Sequence, residues 1–308
     1  MSQTQAKTFT KRLGILCKRD DMTHEQFVAH WMGTHAALCK KLPGLRRYSV
    51  NLVDRERFAA FGYDGFSELW FDTEAVYATG INPDGPEHFA LARQAEGHRA
   101  FKLKIGFGEA QDLRNVRALR EALGREAELM VDANQALDLA SAMRVASLLA
   151  PFGLRWLEEP LRVDRPAAEW ACLAEASGTA LAGGENLRGA DLLAAAEGGV
   201  LRVIQPDITK WGGITGNAPV AAAAVRRGKS FCPHVFGGGV ALLASLHLLA
   251  AAGGDGTLEF DCHPNAAREL VVGALLPVRD GRVPVPDGPG LGATPDLEAL
   301  SRYRTWPA

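Results

Sequence analysis

Residues 130–135 read MVDANQ, two apolar residues followed by an aspartate and a short polar turn. A buried parallel strand ends this way: apolar side chains serve both covered faces, and a polar group stands where the chain leaves the sheet. The same grammar recurs on either side. Upstream lies FKLK at 101–104; downstream lie WLEEP at 156–160, GGEN at 183–186, QPDITK at 205–210, CPH at 232–234 and LEF at 258–260. From about Val76 onward, apolar runs end in polar residues at Thr79, Lys104, Asp132, Glu158, Glu185, Asp207, His234 and Glu259. The intervals are 25, 28, 26, 27, 22, 27 and 25 residues. One βα unit, with its strand, helix and two short loops, fills such an interval. Eight near-equal units with no sequence repeat predict an α/β fold of the closed (β/α)-barrel kind, not a doubly wound sheet. An open sheet more often carries a Gly-rich phosphate loop after its first strand, and GFGEAQD at 106–112 is not one.

The first 74 residues have a different texture. KRLGILC (11–17) alternates like a strand, and Thr23-His24-Glu25-Gln26 supplies a capping box. Helical spacing follows through Phe27, Trp31 and Leu38 to a stop at Pro43-Gly44, and two further strands are predicted at Arg46–Val53 and Gly65–Phe71. That β-α-β-β order opens a ferredoxin-like α+β unit. The predicted boundary is 1–74 for this unit and 75–308 for the barrel with its C-terminal tail.

Bulk properties narrow the function. In 308 residues, 47% are hydrophobic and 23% charged, with a formal net charge of −2, which gives no electrostatic reason to expect nucleic acid or anionic lipid as a partner. No apolar run reaches the length of about 18 residues that a membrane span needs. The first residues, MSQTQAKTFTKRLGILCKRDD, lack an apolar signal region. Cys17, Cys39, Cys172, Cys232 and Cys262 form no CxxC and read as scattered free thiols, so a cytoplasmic protein is expected.

The polar strand ends carry the chemistry, because in such a barrel they converge on one mouth. Asp132, Glu158 and Glu185 end three successive strands. Brought together they would repel one another unless a cation neutralised them, and three hard oxygen donors suit Mg²⁺. Taken singly, each could be a helix cap or a surface ion-pair partner. Lys102 and Lys104 lie two apart and so share a face; beside a dication such a lysine is expected to have a lowered pKa and to act as a base. Asp207 one unit before His234 would fix the imidazole tautomer and make a second acid/base. Glu259 could hydrogen-bond a substrate carboxylate as charge builds there.

Together FKLKIG, VDANQ, WLEEP, GEN, PDITKWGG and the late His234 and Glu259 resemble the enolase superfamily, within it the mandelate racemase and muconate lactonizing branch with its acid-sugar dehydratases. The likeness runs from about Val76 to the C-terminus, including the tail LPVRDGRVPVPDGPGLG at 276–292. It implies Mg²⁺ on Asp132, Glu158 and Glu185, and a small-molecule carboxylate substrate that loses its α-proton to Lys104 or His234. It further implies that Lys102 helps to hold the carboxylate and that Asn134 and Lys210 line the site. Either dehydration of a hydroxy acid or racemisation is then open.

The N-terminal part departs from that family, whose members usually carry a larger α+β capping domain. Residues 12–48 followed by YDGFSELWFD (63–72) resemble instead the EthD-like family of dimeric α+β barrel proteins, over roughly 11–72. A lone βαββ unit leaves an open sheet edge and half a core, so a homo-oligomer is expected, or pairing with the barrel or the tail. A barrel lacking its usual cap could also be catalytically impaired. His30 and His35 could mark a small-molecule site, but a solvated helix face is the plainer reading.

Overall fold

Thr23 starts the first helix as its sequence requires: its hydroxyl accepts from the Gln26 amide at 3.2 Å, and the Gln26 side chain accepts from the Thr23 amide at 2.9 Å. The structure, a computed structural model, describes residues 9–16, 18, 21–39, 45–52, 65–72, 85–261, 265–272 and 276–303. The chain divides into two units, residues 1–78 with 305–308, and residues 79–304.

In the first unit, strand β1 (Phe9–Leu16), helix α1 (His24–His30), a π-helical turn (Trp31–His35), helix α2 (Ala36–Cys39) and strands β2 (Leu45–Leu52) and β3 (Gly65–Asp72) follow one another. The three strands form an antiparallel sheet with β3 in the middle. Trp31 is buried, packs with its ring tilted against Phe27 at 5.2 Å, and donates its indole N–H to the Tyr48 hydroxyl at 3.0 Å. His35 Nδ1 lies 3.1 Å from the same hydroxyl. Both His30 and His35 are half-buried. The wider π turn leaves Trp31 and His35 both within reach of Tyr48 on β2. Burial, followed by the neighbouring His30, holds the His35 imidazole below its ordinary pKa. The predicted stop at Pro43-Gly44 and the linker 54–64 lie outside the described residues.

The second unit alternates strands and helices. Helix α3 (Pro86–Ala95) precedes β4 (Ala100–Lys104), α4 (Glu109–Leu123), β5 (Glu128–Asp132) and α5 (Leu139–Leu149). Then come β6 (Leu157–Glu158), α6 (Ala167–Ala176), β7 (Leu181–Gly183), α7 (Gly189–Glu197), β8 (Val203–Ile204), α8 (Gly213–Arg226), β9 (Ser230–Phe231) and α9 (Gly239–Ala252). Helices α10 (Ala266–Val272) and α11 (Leu297–Ser301) follow. The six strands form one parallel sheet in sequential order β4 to β9.

Alternation along the strands sorts the side chains. Phe101, Leu103, Leu129, Val131, Leu157, Leu181, Ile204 and Phe231 pack against helix residues such as Val116, Leu119, Leu149, Leu173, Leu192 and Val220. Each fully buried side chain of this size contributes about 1.5–3 kcal/mol. Met130, Trp156, Ala182, Val203 and Cys232 form a separate cluster on the opposite, inner face, which makes the sheet the wall of a barrel.

Among the described residues, Glu259 is the predicted strand end that follows no ladder strand. Thr79 lies outside the described residues. Glu259 sits on an irregular segment that passes so close to β9 that a Cβ at Gly256 would collide with the Phe231 carbonyl oxygen. So tight an approach leaves no room for regular pairing; the Thr257 amide instead donates to Cys232 Sγ at 3.2 Å. The 106–112 loop is no phosphate loop, as expected: the buried Asp112 carboxylate takes the Gly106 and Phe107 amides at 2.9 and 3.2 Å. Among the described residues no helix is long and apolar enough to cross a membrane, and Cys172 and Cys232 are free thiols.

Candidate active site

Sheet register sets the first contacts. Lys104 pairs with Asp132 across β4 and β5, and Asp132 with Glu158 across β5 and β6. Beyond the regular strands, the Ala133 amide bonds Glu158 O at 3.0 Å, Cys232 bonds Ile204 O at 2.9 Å, and His234 bonds Pro206 O at 3.0 Å. The backbone is therefore still guided as it delivers the functional side chains. Asn134, Gln135 and Glu159 leave their strands with φ of 43°, 63° and 37°. For non-glycine residues this left-handed region costs roughly 1–3 kcal/mol each, a strain that gathers at functional sites.

All ten residues predicted for the site join one chain of polar contacts. Lys104 bonds Asp132 by a very short ion pair and Asn134 Oδ1 at 2.6 Å. Lys102 Nζ lies 2.7 Å from Glu158 Oε1, 2.6 Å from Glu259 Oε1 and 3.5 Å from Asp132 Oδ2. Glu259 Oε2 in turn is 3.8 Å from His234 Nε2. His234 is held at Nδ1 by Asp207, 2.9 Å away, and at Nε2 by Glu185, 2.6 Å away. Lys210 completes the chain 3.7 Å from Glu185 Oε1.

The electrostatics follow from this packing. Burial disfavours the His234 imidazolium, but Asp207 and Glu185 outweigh it and push the pKa up to about 10. Burial likewise opposes ionisation of Glu185, yet the His234 contact holds its carboxyl at about 2. Asp207 is held well below its ordinary value against burial by His234 and Thr209, and Asp132 by Lys102 and Lys104. The lowered pKa expected of Lys102 beside a dication is not what the surrounding carboxylates alone produce. Burial does pull it down, but Glu158, Glu259 and Asp132 surround it and raise it well above 10.5. It is an ammonium that balances carboxylates.

Several residues escaped the sequence reading. Trp156 and Gln205 both donate to Glu158 Oε2, at 3.0 and 2.6 Å. Asn186 Nδ2 bridges Glu159 Oε2 at 2.8 Å and Glu185 Oε1 at 3.0 Å. Glu159 itself is buried; burial first and Glu185 second push its carboxyl up to about 7. The available signal was spacing: Trp156 lies two before Glu158 and Gln205 two before Asp207, on faces that a period of two shares.

Asp132, Glu158 and Glu185 are the oxygen donors a hard divalent cation would take. As placed, each is turned to a cation of the protein, and among the described residues no three His, Cys, Asp or Glu groups form a ready cage. The donor chemistry nonetheless fits. Burial and then Asp132 push Glu158 up to about 8, and a nearby dication would favour its ionised form.

A family profile described as Enolase C-terminal domain-like matches residues 87–300. The chain belongs to this family. A second profile, EthD domain, matches residues 19–93. D-galactarolactone cycloisomerase of Agrobacterium fabrum is 35% identical over 251 residues, covering 76% of this chain and 66% of that protein. A solved mandelate racemase/muconate lactonizing enzyme of Bordetella bronchiseptica is 51% identical with a TM-score of 0.70, covering 74% of this chain and 64% of that one. L-talarate dehydratase of Polaromonas sp. JS666, solved with Mg and L-glucarate, is 30% identical with a TM-score of 0.62, covering 74% and 61%. The chain thus spans about two thirds or less of the length of these relatives. Enolase-type relatives of this chain include cycloisomerases, acid-sugar dehydratases and epimerases.

Proposed function

We propose that this protein is a Mg²⁺-dependent enzyme that removes the proton α to the carboxylate of an acid sugar and expels an oxygen from the β-carbon. The observation that carries the reading is His234, fixed between Asp207 and Glu185 and linked through Glu259 to the Lys102 cluster. Asp132, Glu158 and Glu185 would hold the metal. Magnesium, when bound, would draw charge from the substrate carboxylate and so favour loss of the neighbouring proton.

The chain's own residues do the rest. Lys104 ends the first strand of the sheet and His234 follows the last, so a substrate between them meets a proton-transfer group from each side. Lys104 takes the α-proton. Asp207 orients the imidazole, and the charged His234 gives its proton to the departing oxygen. Lys102 and Glu259 sit where charge develops on the carboxylate, with Lys102 supplying a fixed positive charge. Asn134 and Lys210 line the site. Residues 75–308 form the catalytic barrel and 1–74 an EthD-like unit, in a cytoplasmic assembly of more than one chain.

If the departing oxygen is a hydroxyl, water is lost and the enol product becomes a 2-keto acid, which is dehydration. If it belongs to a ring, no atoms leave and the outcome is an isomer. The similarity to a cycloisomerase favours this as a second reading. A panel of aldonic, aldaric and tartaric acids and their lactones, assayed with Mg²⁺ for 2-keto acid and by NMR, separates the two. Turnover of none of them by the metal-loaded protein overturns both.

A further inference from the structure

Glu158 differs from the other two strand-end carboxylates in how it is held. Its Oε2 accepts two hydrogen bonds, from Trp156 Nε1 at 3.0 Å and Gln205 Nε2 at 2.6 Å, whereas its Oε1 accepts from Lys102 Nζ at 2.7 Å. All three groups are deeply buried: Trp156 is 3% exposed, Gln205 2% and Glu158 1%. A carboxylate oxygen has two lone pairs, so two donors saturate Oε2. What remains for a cation is Oε1.

Gln205 is the telling residue. Its amide oxygen is buried with no hydrogen-bond partner among the described residues, while its amide nitrogen is spent on Glu158. Leaving a buried acceptor unsatisfied is costly, and a native protein that does so needs a reason. Turning the amide over would set its oxygen 2.6 Å from a carboxylate oxygen, so the orientation is fixed by Glu158. Trp156 is fixed from its other side, by the Arg155 guanidinium 5.3 Å from the ring centre. Both residues lie two positions before a strand-end acid, one layer deeper in the barrel.

We propose that Gln205 and Trp156 are positioning residues that clamp Glu158 through Oε2, so that it meets a divalent cation through Oε1 alone. This rests on the metal assignment made above. Partners of this kind set metal affinity by about 10- to 100-fold through ligand orientation.

Calorimetric titration of the intact protein with Mg²⁺ tests it without any substrate. Gln205→Leu and Trp156→Phe keep most of the packing and remove one donor each; both should weaken Mg²⁺ binding by about 10-fold or more. Gln205→His, whose ring N–H can replace the amide donor, should recover part of the loss. Met130→Leu alters the same inner layer without removing a hydrogen-bond donor to Glu158 and should bind as the unaltered protein does. If the unaltered protein binds Mg²⁺ and both donor-removing variants bind equally well, the clamp is overturned and the metal site stands. Equal weakening in Met130→Leu, or no recovery in Gln205→His, also overturns it, since packing alone would then be responsible. If the unaltered protein binds no Mg²⁺, the metal assignment falls and the clamp with it.

Discussion

The ammonium of Lys102 lies 2.6 Å from Oε1 of Glu259, joining the first strand of the parallel sheet to a segment beyond its last. Both side chains are largely buried, so the pair is weakly screened and geometry matters. Yet Glu259 has no strand ladder to hold it.

Arg155 supplies part of that support. Its guanidinium bonds Thr257 Oγ1 at 2.6 Å and the Asp255 carbonyl at 2.7 Å, and pairs closely with Glu128 on β5. Hydrogen bonds to a charged group contribute about 1.5–3 kcal/mol. Arg155→Met should therefore speed amide exchange across residues 255–261 and leave β4 and β5 protected, as read by hydrogen–deuterium exchange. Unchanged exchange in 255–261 would show that other contacts suffice.

Removal of metal should lower stability. With Asp132, Glu158 and Glu185 as ligands, Mg²⁺ at a hundredfold excess over its Kd adds about 2.7 kcal/mol to the folded state. Tm should rise with Mg²⁺ and fall with chelator, and Glu185→Gln should blunt the response. A Tm indifferent to both, with no metal found by elemental analysis, contradicts the assignment.

Lys229 gives a pH signature far from the site. Burial, then Arg202 and Arg227, lower its pKa to about 8 from 10.5, while its ammonium bonds the carbonyls of Ala195 and Gly198 at 2.8 and 2.5 Å. Between those two values the unfolded chain binds more protons than the folded one, so this group makes stability rise with pH there. Denaturant titrations from pH 7.5 to 10.5 should show a shallower rise in Lys229→Met than in the unaltered protein. Parallel curves would refute the shift.

How far the sequence carried this account depended on what each contact needed. The strand ends were legible because apolar runs and polar stops recur at regular spacing, and the ladder turned that spacing directly into the Lys104–Asp132 and Asp132–Glu158 neighbours. Glu259 was legible as a member of the polar cluster but not as an irregular segment, since the close pass of Gly256 over Phe231 is a tertiary fact. The charge balance at Lys102 was not legible because it depends on how many carboxylates reach the ammonium, and three do. Gln205 and Asn186 were missed because an amide donor has no charge pattern to betray it. Tyr48 as the shared partner of Trp31 and His35 was hidden for a different reason: a π turn changes which helix residues face the sheet.

The two proton-transfer groups can be separated by substitution. Lys104→Ala and His234→Asn should each reduce turnover by at least about 100-fold, the usual contribution of a positioned acid or base. Exchange of the substrate α-proton with solvent should survive in His234→Asn, because Lys104 is intact, and be lost in Lys104→Ala. Wild-type turnover in both variants would exclude the two-group scheme.

The most direct test of the central claim is proton NMR of acid sugars, galactarate among them, incubated with the Mg²⁺-loaded protein in D₂O. Loss of the α-proton signal, dependent on Mg²⁺ and abolished by Lys104→Ala, is the result expected. An α-proton signal that persists across the whole acid-sugar panel, with metal demonstrably bound, would contradict the claim.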